Sequence, residues 1–136
     1  MLFRSGDSAG KVLLVSWGSN WGPVREALTY IRKSGVKAGH LHLRHLSPMP
    51  NGMEQTFARY HKIVVLELND EGLYGYGQMT TLLRARFAMP NIVSVTKTDG
   101  LTFKVTEIVA GVAKHIESTE LNQALATIQT SPLARV

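Results

Sequence analysis

The feature that most constrains the fold is an apolar, β-branched run that stops abruptly on polar residues. Residues 63–66 are continuously apolar, and Glu67, Leu68 and Asn69 follow them directly. Three glycines then precede a helical pattern that opens at Gln78. A short run of this kind is typical of a strand buried on both faces. It predicts a sheet whose carboxyl edge carries a carboxylate and an amide, and open α/β sheets bind ligands and partners at that edge.

The same change from strand to helix recurs along the chain. Five strands are expected, at residues 11–16, 38–43, 63–68, 91–96 and 101–104. Helical patterns follow four of them, at residues 23–33, 52–60, 78–87 and 105–116. Alternation of this kind predicts the α/β class, as a three-layer α/β/α domain with a mainly parallel sheet of about five strands.

The domain boundaries follow from these patterns. A length of 136 residues suits one domain. Residues 1–10 are expected to be a flexible N-terminal segment, and residues 11–116 to form the α/β domain. Residues 117–136 carry a weaker apolar stripe, so we expect a tail with a docked helix and a frayed end.

Composition excludes several classes of protein. The chain has no cysteine, so it forms no disulfide and ligates no iron–sulfur cluster through thiolates. The net charge of +5 comes from dispersed basic residues without interleaved aromatics, which favours a solvated surface over nucleic-acid binding. The sequence has neither an 18-residue apolar run nor a signal-peptide pattern, so we expect a cytoplasmic protein without a membrane partner.

Two histidines alternate on the second predicted strand. His40 and His42 therefore face the same side of the sheet. His-x-His occurs in metal sites, but no third ligand is evident nearby. We favour structural or solvent-facing histidines and expect no metal site.

The turn after the first strand holds both tryptophans of the chain. Trp17 and Trp21 flank a glycine-containing loop that leads into a helix. Such a loop can bind phosphate, but it matches neither a Walker loop nor G-x-G-x-x-G, so a tight turn is favoured. The tryptophans either cap the core or pack against a partner, because tryptophan is enriched at the centres of interfaces.

Glu67 has two alternative roles. A partly buried carboxyl group at a sheet edge could act as a general acid or base. Alternatively, its carboxylate accepts backbone N–H groups of the following loop. Asn69 and Gln78 suit hydrogen bonding in the same loop. We predict no catalytic residue and treat Glu67, Asn69, Gln78, Trp17 and Trp21 as motif or interface positions; cofactor-binding residues stay unknown.

Three ordered segments resemble one family. Residues 13–27 (LLVSWGSNWGPVREA) resemble the strand–W-G-S–turn–helix of the C-terminal domain of 2-oxoacid:ferredoxin oxidoreductase α subunits. Residues 41–50 (LHLRHLSPMP) are similar to the family's H-L-R-x-L-x-P-x-P segment. Residues 64–84 resemble its V-x-x-E-x-N-x-G-Q-L…L-L-R segment, although the connection at residues 70–77 is longer here.

The resemblance implies a transketolase C-terminal-like domain within a thiamine-diphosphate-dependent enzyme. Such enzymes decarboxylate a 2-oxoacid, form an acyl-coenzyme A and reduce ferredoxin. It implies that thiamine diphosphate, Mg²⁺ and the iron–sulfur cluster lie on other domains or subunits, with no cofactor in this chain. The expected role is a non-catalytic assembly domain that contacts a thiamine-binding β subunit or a second copy, and the isolated chain is expected to be inactive.

Two alternatives stay open from the sequence. One is the C-terminal domain of a transketolase or 2-oxoacid dehydrogenase-type thiamine enzyme, which shares the fold and the glutamate that closes the third strand. The other is a free-standing α/β module that binds a nucleotide or coenzyme A through residues 18–22.

Overall fold

The computed structural model describes residues 2–17, 21–43, 52–67, 78–97 and 102–116, together with Leu121 and Ala126. These ranges contain five strands and four helices. In chain order they are β1 (Leu2–Gly6), β2 (Gly10–Trp17), α1 (Trp21–Lys33), β3 (Ala38–Leu43), α2 (Met53–Phe57), β4 (Tyr60–Glu67), α3 (Gln78–Phe87), β5 (Ile92–Thr96) and α4 (Val105–His115). None of these helices is both long and apolar enough to cross a membrane.

The five strands form one sheet in the order β1-β3-β2-β4-β5. Strands β2 to β5 pair in parallel, and β1 pairs antiparallel with β3. Residues in register across the centre include Leu14, Val64 and Val93. The predicted α/β class with a mainly parallel sheet of about five strands is confirmed.

Helices cover both faces of this sheet, which explains the continuous apolar runs. Even-numbered residues of β2, such as Leu14, pack in a core cluster with α1 and α4. Odd-numbered residues, such as Leu13, pack in a second cluster with α2 and α3. Because successive side chains of a strand alternate between faces, a strand covered on both sides must be apolar throughout.

The N-terminal residues differ from the expectation. The sequence pattern predicts a flexible segment at residues 1–10, whereas β1 lies within them and forms an edge of the sheet. Asp7 anchors this segment, since its carboxylate accepts hydrogen bonds from the backbone N–H of Ala38 at 3.0 Å and from Arg32 at 3.2 Å. The Tyr60 hydroxyl donates to the Asp7 carbonyl oxygen. The prediction of a flexible segment is therefore wrong for β1.

The predicted strand at residues 101–104 is also wrong over its described part. Residues 102–104 have no regular secondary structure. Lys104 is instead the N-cap of α4, and its backbone N–H donates to Glu107 Oε1 at 2.8 Å. Satisfying a free N–H group at a helix start in this way competes with extending a strand.

The tail lies almost entirely outside the described residues. Leu121 is fully buried in the core cluster on the α1 and α4 side of the sheet. Residues 117–120, 122–125 and 127–136 are not described, so the docked helix and frayed end expected there stay predictions.

Candidate functional site at the carboxyl edge of the sheet

The parallel strands end along one edge, and four of the five predicted positions lie there. Trp17 is the last residue of β2 and Glu67 the last of β4. Trp21 begins α1 and Gln78 begins α3 at the same edge. Asn69 lies outside the described residues.

Glu67 is a fully buried carboxylate that caps α3. Its Oε1 accepts the backbone N–H of Met79 at 2.5 Å. Its Oε2 accepts the backbone N–H of Thr80 at 3.2 Å and the Thr80 hydroxyl at 2.8 Å. A negative charge at a helix N-terminus is stabilised by the free N–H groups and the helix dipole. These contacts match the second role considered for Glu67, in which its carboxylate accepts backbone N–H groups. The donors belong to the first turn of α3.

The other face of the same edge carries a buried polar cluster of Ser16, His40 and His42. Ser16 Oγ lies 2.6 Å from His40 Nε2 and 2.8 Å from His42 Nδ1. A hydroxyl has one hydrogen, so Ser16 donates to one imidazole and accepts from the other. The three side chains meet because β2 and β3 are neighbours in the sheet, with Ser16 in register with His42.

Burial keeps His40 uncharged. Loss of hydration lowers its pKa to about 4, and the nearby His42 and Arg25 add electrostatic effects of the same sign. Its Nδ1 is buried without a hydrogen-bond partner in the described part of the chain. No group of three His, Cys, Asp or Glu side chains suited to a metal ion occurs among the described residues. The hydrogen bonds of Ser16 to both imidazole rings indicate a structural role for this cluster.

Both tryptophans are half-buried rather than enclosed in the core. The Trp21 ring packs edge-on against His42, with ring centroids 5.1 Å apart. Trp17 packs against the core cluster on the α2 and α3 side. Its indole Nε1 is buried without a hydrogen-bond partner among the described residues.

A charged pair braces β5 against α4 at this edge. Lys97, nearly buried, places its Nζ 2.6 Å from Glu107 Oε1 and 2.8 Å from Oε2. Glu107 also accepts the backbone N–H of Lys104. Charge-assisted hydrogen bonds of this kind hold a strand end and a helix start in fixed positions.

Sequence reasoning missed the partners of the predicted residues. The sequence pattern places Ser16 in a predicted strand and Thr80 in a predicted helix, and neither position indicates the contact that its side chain makes. The alternation of side chains on β2 and β3 places Ser16 on the histidine face, but the contact also requires the strand order, which no local pattern reveals.

Comparison with known proteins identifies the family. The model of pyruvate:ferredoxin oxidoreductase core domain II matches residues 10–108. The chain is 39% identical over 98 residues to the 2-oxoglutarate oxidoreductase subunit KorA of Mycobacterium tuberculosis, covering 72% of this chain and 14% of that protein. It is 33% identical over 116 residues to the 2-oxoacid:ferredoxin oxidoreductase 2 subunit alpha of Aeropyrum pernix, covering 85% of this chain and 17% of that protein.

A solved structure has the same fold. The 2-oxoglutarate:ferredoxin oxidoreductase of Magnetococcus marinus, with 2-oxoglutarate, coenzyme A and succinyl-CoA bound, superposes with a TM-score of 0.75 at 28% identity. The match covers 86% of this chain and 20% of that chain. This chain therefore spans a fifth or less of these relatives.

These relatives are oxidoreductase subunits, so the resemblance to the ferredoxin-linked family is confirmed. The chain belongs to the pyruvate:ferredoxin oxidoreductase core domain II family and is a domain of the kind found in 2-oxoacid:ferredoxin oxidoreductase α subunits.

Proposed function

We propose that this chain is a non-catalytic assembly domain of a thiamine-diphosphate-dependent 2-oxoacid:ferredoxin oxidoreductase. The whole enzyme would oxidatively decarboxylate a 2-oxoacid to an acyl-CoA and reduce ferredoxin, in the cytoplasm. In this proposal, the carboxyl edge of the sheet contacts a thiamine-binding β subunit, and a homodimer contact is a further option.

The observation that carries the proposal is the state of the two tryptophans. Trp17 and Trp21 stay half-buried at the edge where α/β sheets meet ligands and partners. Each presents a large apolar ring, and Trp17 has a buried indole N–H without a partner among the described residues. Large aromatic side chains of this kind are enriched at the centres of protein interfaces.

The charged groups at this edge support a structural role. Both carboxylate oxygens of Glu67 accept hydrogen bonds from α3. Lys97 and Glu107 bind each other. A general acid or base must reach the proton that it transfers, whereas Glu67 has no exposed surface in this chain.

The residues described here offer no cluster of metal-binding side chains for the Mg²⁺ of the proposed enzyme. A Mg²⁺–diphosphate site needs a set of oxygen ligands, and no three-residue metal-binding group occurs in the described ranges. A cysteine-ligated cluster is excluded by composition. In this proposal, thiamine diphosphate, Mg²⁺ and the iron–sulfur cluster lie on other domains or subunits, and coenzyme A binds at the level of the whole complex.

Association with the thiamine-bearing partner tests the proposal. The partner is purified with a tag and used to capture this chain, either unchanged or as Trp17→Ala and Trp21→Ala. We expect each variant to weaken capture at least about tenfold, since truncating an aromatic at an interface centre commonly costs about 2 kcal/mol or more.

Leu82→Ala is the matched control, because Leu82 is an exposed apolar side chain in the middle of α3. Equal capture of all variants with unchanged unfolding midpoints would refute an interface at this edge. Circular dichroism checks that each variant is folded, since Trp21 also contacts His42.

A further inference from the structure

A basic groove runs between α1 and the segment after β1. It has a volume of about 560 Å³. One wall is a single face of α1, where Arg25, Leu28, Thr29 and Arg32 recur at helical spacing. The opposite wall includes Asp7, and the far end reaches residues 35–37 before β3. The groove thus extends toward the amino edge of β3, away from the carboxyl edge described above.

The lining of this groove is strongly positive. Arg25, Arg32, Lys33 and Lys37 contribute four positive charges and Asp7 one negative charge, a formal net charge of +3. All four cationic residues are exposed. Asp7 is paired with Arg32 at 3.2 Å, so the formal net charge of +3 comes from Arg25, Lys33 and Lys37.

The charges are spread along the groove rather than gathered at one point. Arg25 and Lys33 are eight positions apart on α1, which corresponds to about 12 Å along the helix axis at roughly 1.5 Å per residue. An extended peptide rises roughly 3.3 Å per residue, so about four residues cover this span. A single compact anion would contact one end only.

The adjacent strand also suits an extended chain. Strand β1 is at the end of the described sheet and pairs with β3 on one side. Half of the backbone N–H and C=O groups of an edge strand point away from its neighbour. Extended segments of other proteins commonly add to such edges.

From these observations we infer that the α1–β1 groove is a docking site for an extended acidic segment of a partner chain. Arg25 and Lys33 contact carboxylates at the two ends of the segment, and Lys37 widens the positive surface at the amino edge. The inference does not depend on the carboxyl-edge proposal, because the two surfaces share no residue.

Fluorescence anisotropy with a labelled hexaglutamate peptide tests the inference on the 136-residue chain. We expect saturable binding that weakens as salt is raised, because the contacts are exposed charge pairs. The variant Arg25→Glu/Lys33→Glu is expected to lose at least about tenfold in affinity. Arg86→Glu/Lys114→Glu makes the same change in net charge at exposed residues outside the groove lining and is expected to bind within about twofold of the unchanged chain.

Amide NMR shifts locate the peptide. Gly6 and Gly35 line the groove, and their signals are expected to move on titration, while that of Gly111 stays in place. Equal loss of affinity in both charge-reversal variants would overturn the inference, as would the absence of saturable binding. Displacement of the peptide by an equal concentration of inorganic diphosphate would assign the groove to small anions instead. If Arg25→Glu/Lys33→Glu lowers the unfolding midpoint, the variant Arg25→Gln/Lys33→Gln is used instead. Its loss of affinity is judged in the same way.

Discussion

At the scale of the residue, Glu67 shows how a buried carboxylate is used for structure. Removing a carboxylate from water is costly unless hydrogen bonds replace its hydration. Met79 and Thr80 provide those bonds from the N-terminus of α3, where the helix dipole also favours negative charge. The sequence alone does not decide between this role and acid–base chemistry, because the donors lie 12 and 13 residues further along the chain.

We expect Glu67→Ala to destabilise the domain. The substitution leaves buried N–H groups of Met79 and Thr80 unpaired, which costs about 1–3 kcal/mol in the free energy of unfolding. Thr80→Val removes a single hydroxyl donor and should cost less, about 1 kcal/mol. Urea unfolding of the three proteins measures the difference, and a Glu67→Ala variant as stable as the unchanged chain would contradict the capping role.

His40 makes stability depend on pH. Its pKa is lowered to about 4 in the fold, mainly by burial and further by His42 and Arg25, against 6.5 for the unperturbed group. Between these values the unfolded chain binds the proton and the folded chain does not. The contribution is therefore fully present above about pH 6.5 and is lost as the pH falls toward 4, by on the order of 3 kcal/mol.

The variant His40→Gln isolates this effect. Glutamine keeps an N–H donor for Ser16 Oγ but does not titrate, so the loss of stability between pH 6.5 and 4 should become smaller. His61→Gln is the control, because His61 is exposed. Unfolding free energies are measured across this pH range, and an unchanged slope for His40→Gln would show that another group is responsible.

At the scale of the element, α4 approaches β5 closely at Gly111. A Cβ atom added there would lie 2.7 Å from Cγ1 and Cγ2 of Val95, inside the normal contact distance. We expect Gly111→Ala to destabilise the domain by about 1–3 kcal/mol through overpacking, although alanine favours helix by about 1 kcal/mol. The unfolding free energy of the variant measures the balance between overpacking and helix propensity.

Two further variants separate overpacking from helix propensity. Gly22 also lies in a helix, α1, but an added Cβ has no atom within 4 Å. Gly22→Ala should therefore be neutral or stabilising. In Gly111→Ala/Val95→Ala the clash is relieved, so the two changes should be non-additive. If the free-energy changes of the two substitutions simply add, the contact between α4 and β5 is not the cause of the destabilisation.

The local sequence pattern predicts the helices and strands better than it predicts the contacts between them. The sequence pattern predicts β2, β3, β4 and β5 because strands covered on both faces are apolar throughout. Strand β1 (LFRSG) was missed because it is short and lies at the sheet edge, with polar residues among its five positions. The cluster around Ser16 depends on the strand order. The sequence pattern therefore predicts that His40 and His42 share a face, but not that Ser16 is their partner.

At the scale of the whole molecule, two surfaces lie at different places on one small domain. The carboxyl edge has half-buried tryptophans and internally paired charges, and the α1–β1 groove has positive charges that are mostly unneutralised. Aromatic surface supplies affinity in protein contacts, whereas charge mainly supplies orientation and rate. This division is consistent with the assembly role proposed for this domain.

The most direct test of this account is the turnover of the assembled oxidoreductase carrying Glu67→Gln in this chain. Glutamine keeps an oxygen for the Met79 N–H and an amide that can donate to Thr80 Oγ1, while the charge is removed. Turnover per assembled complex should stay within about tenfold of the unchanged enzyme, a change of less than roughly 1.4 kcal/mol in the barrier. Loss of turnover in an intact complex would make Glu67 a participant in the chemistry and would contradict the assembly role.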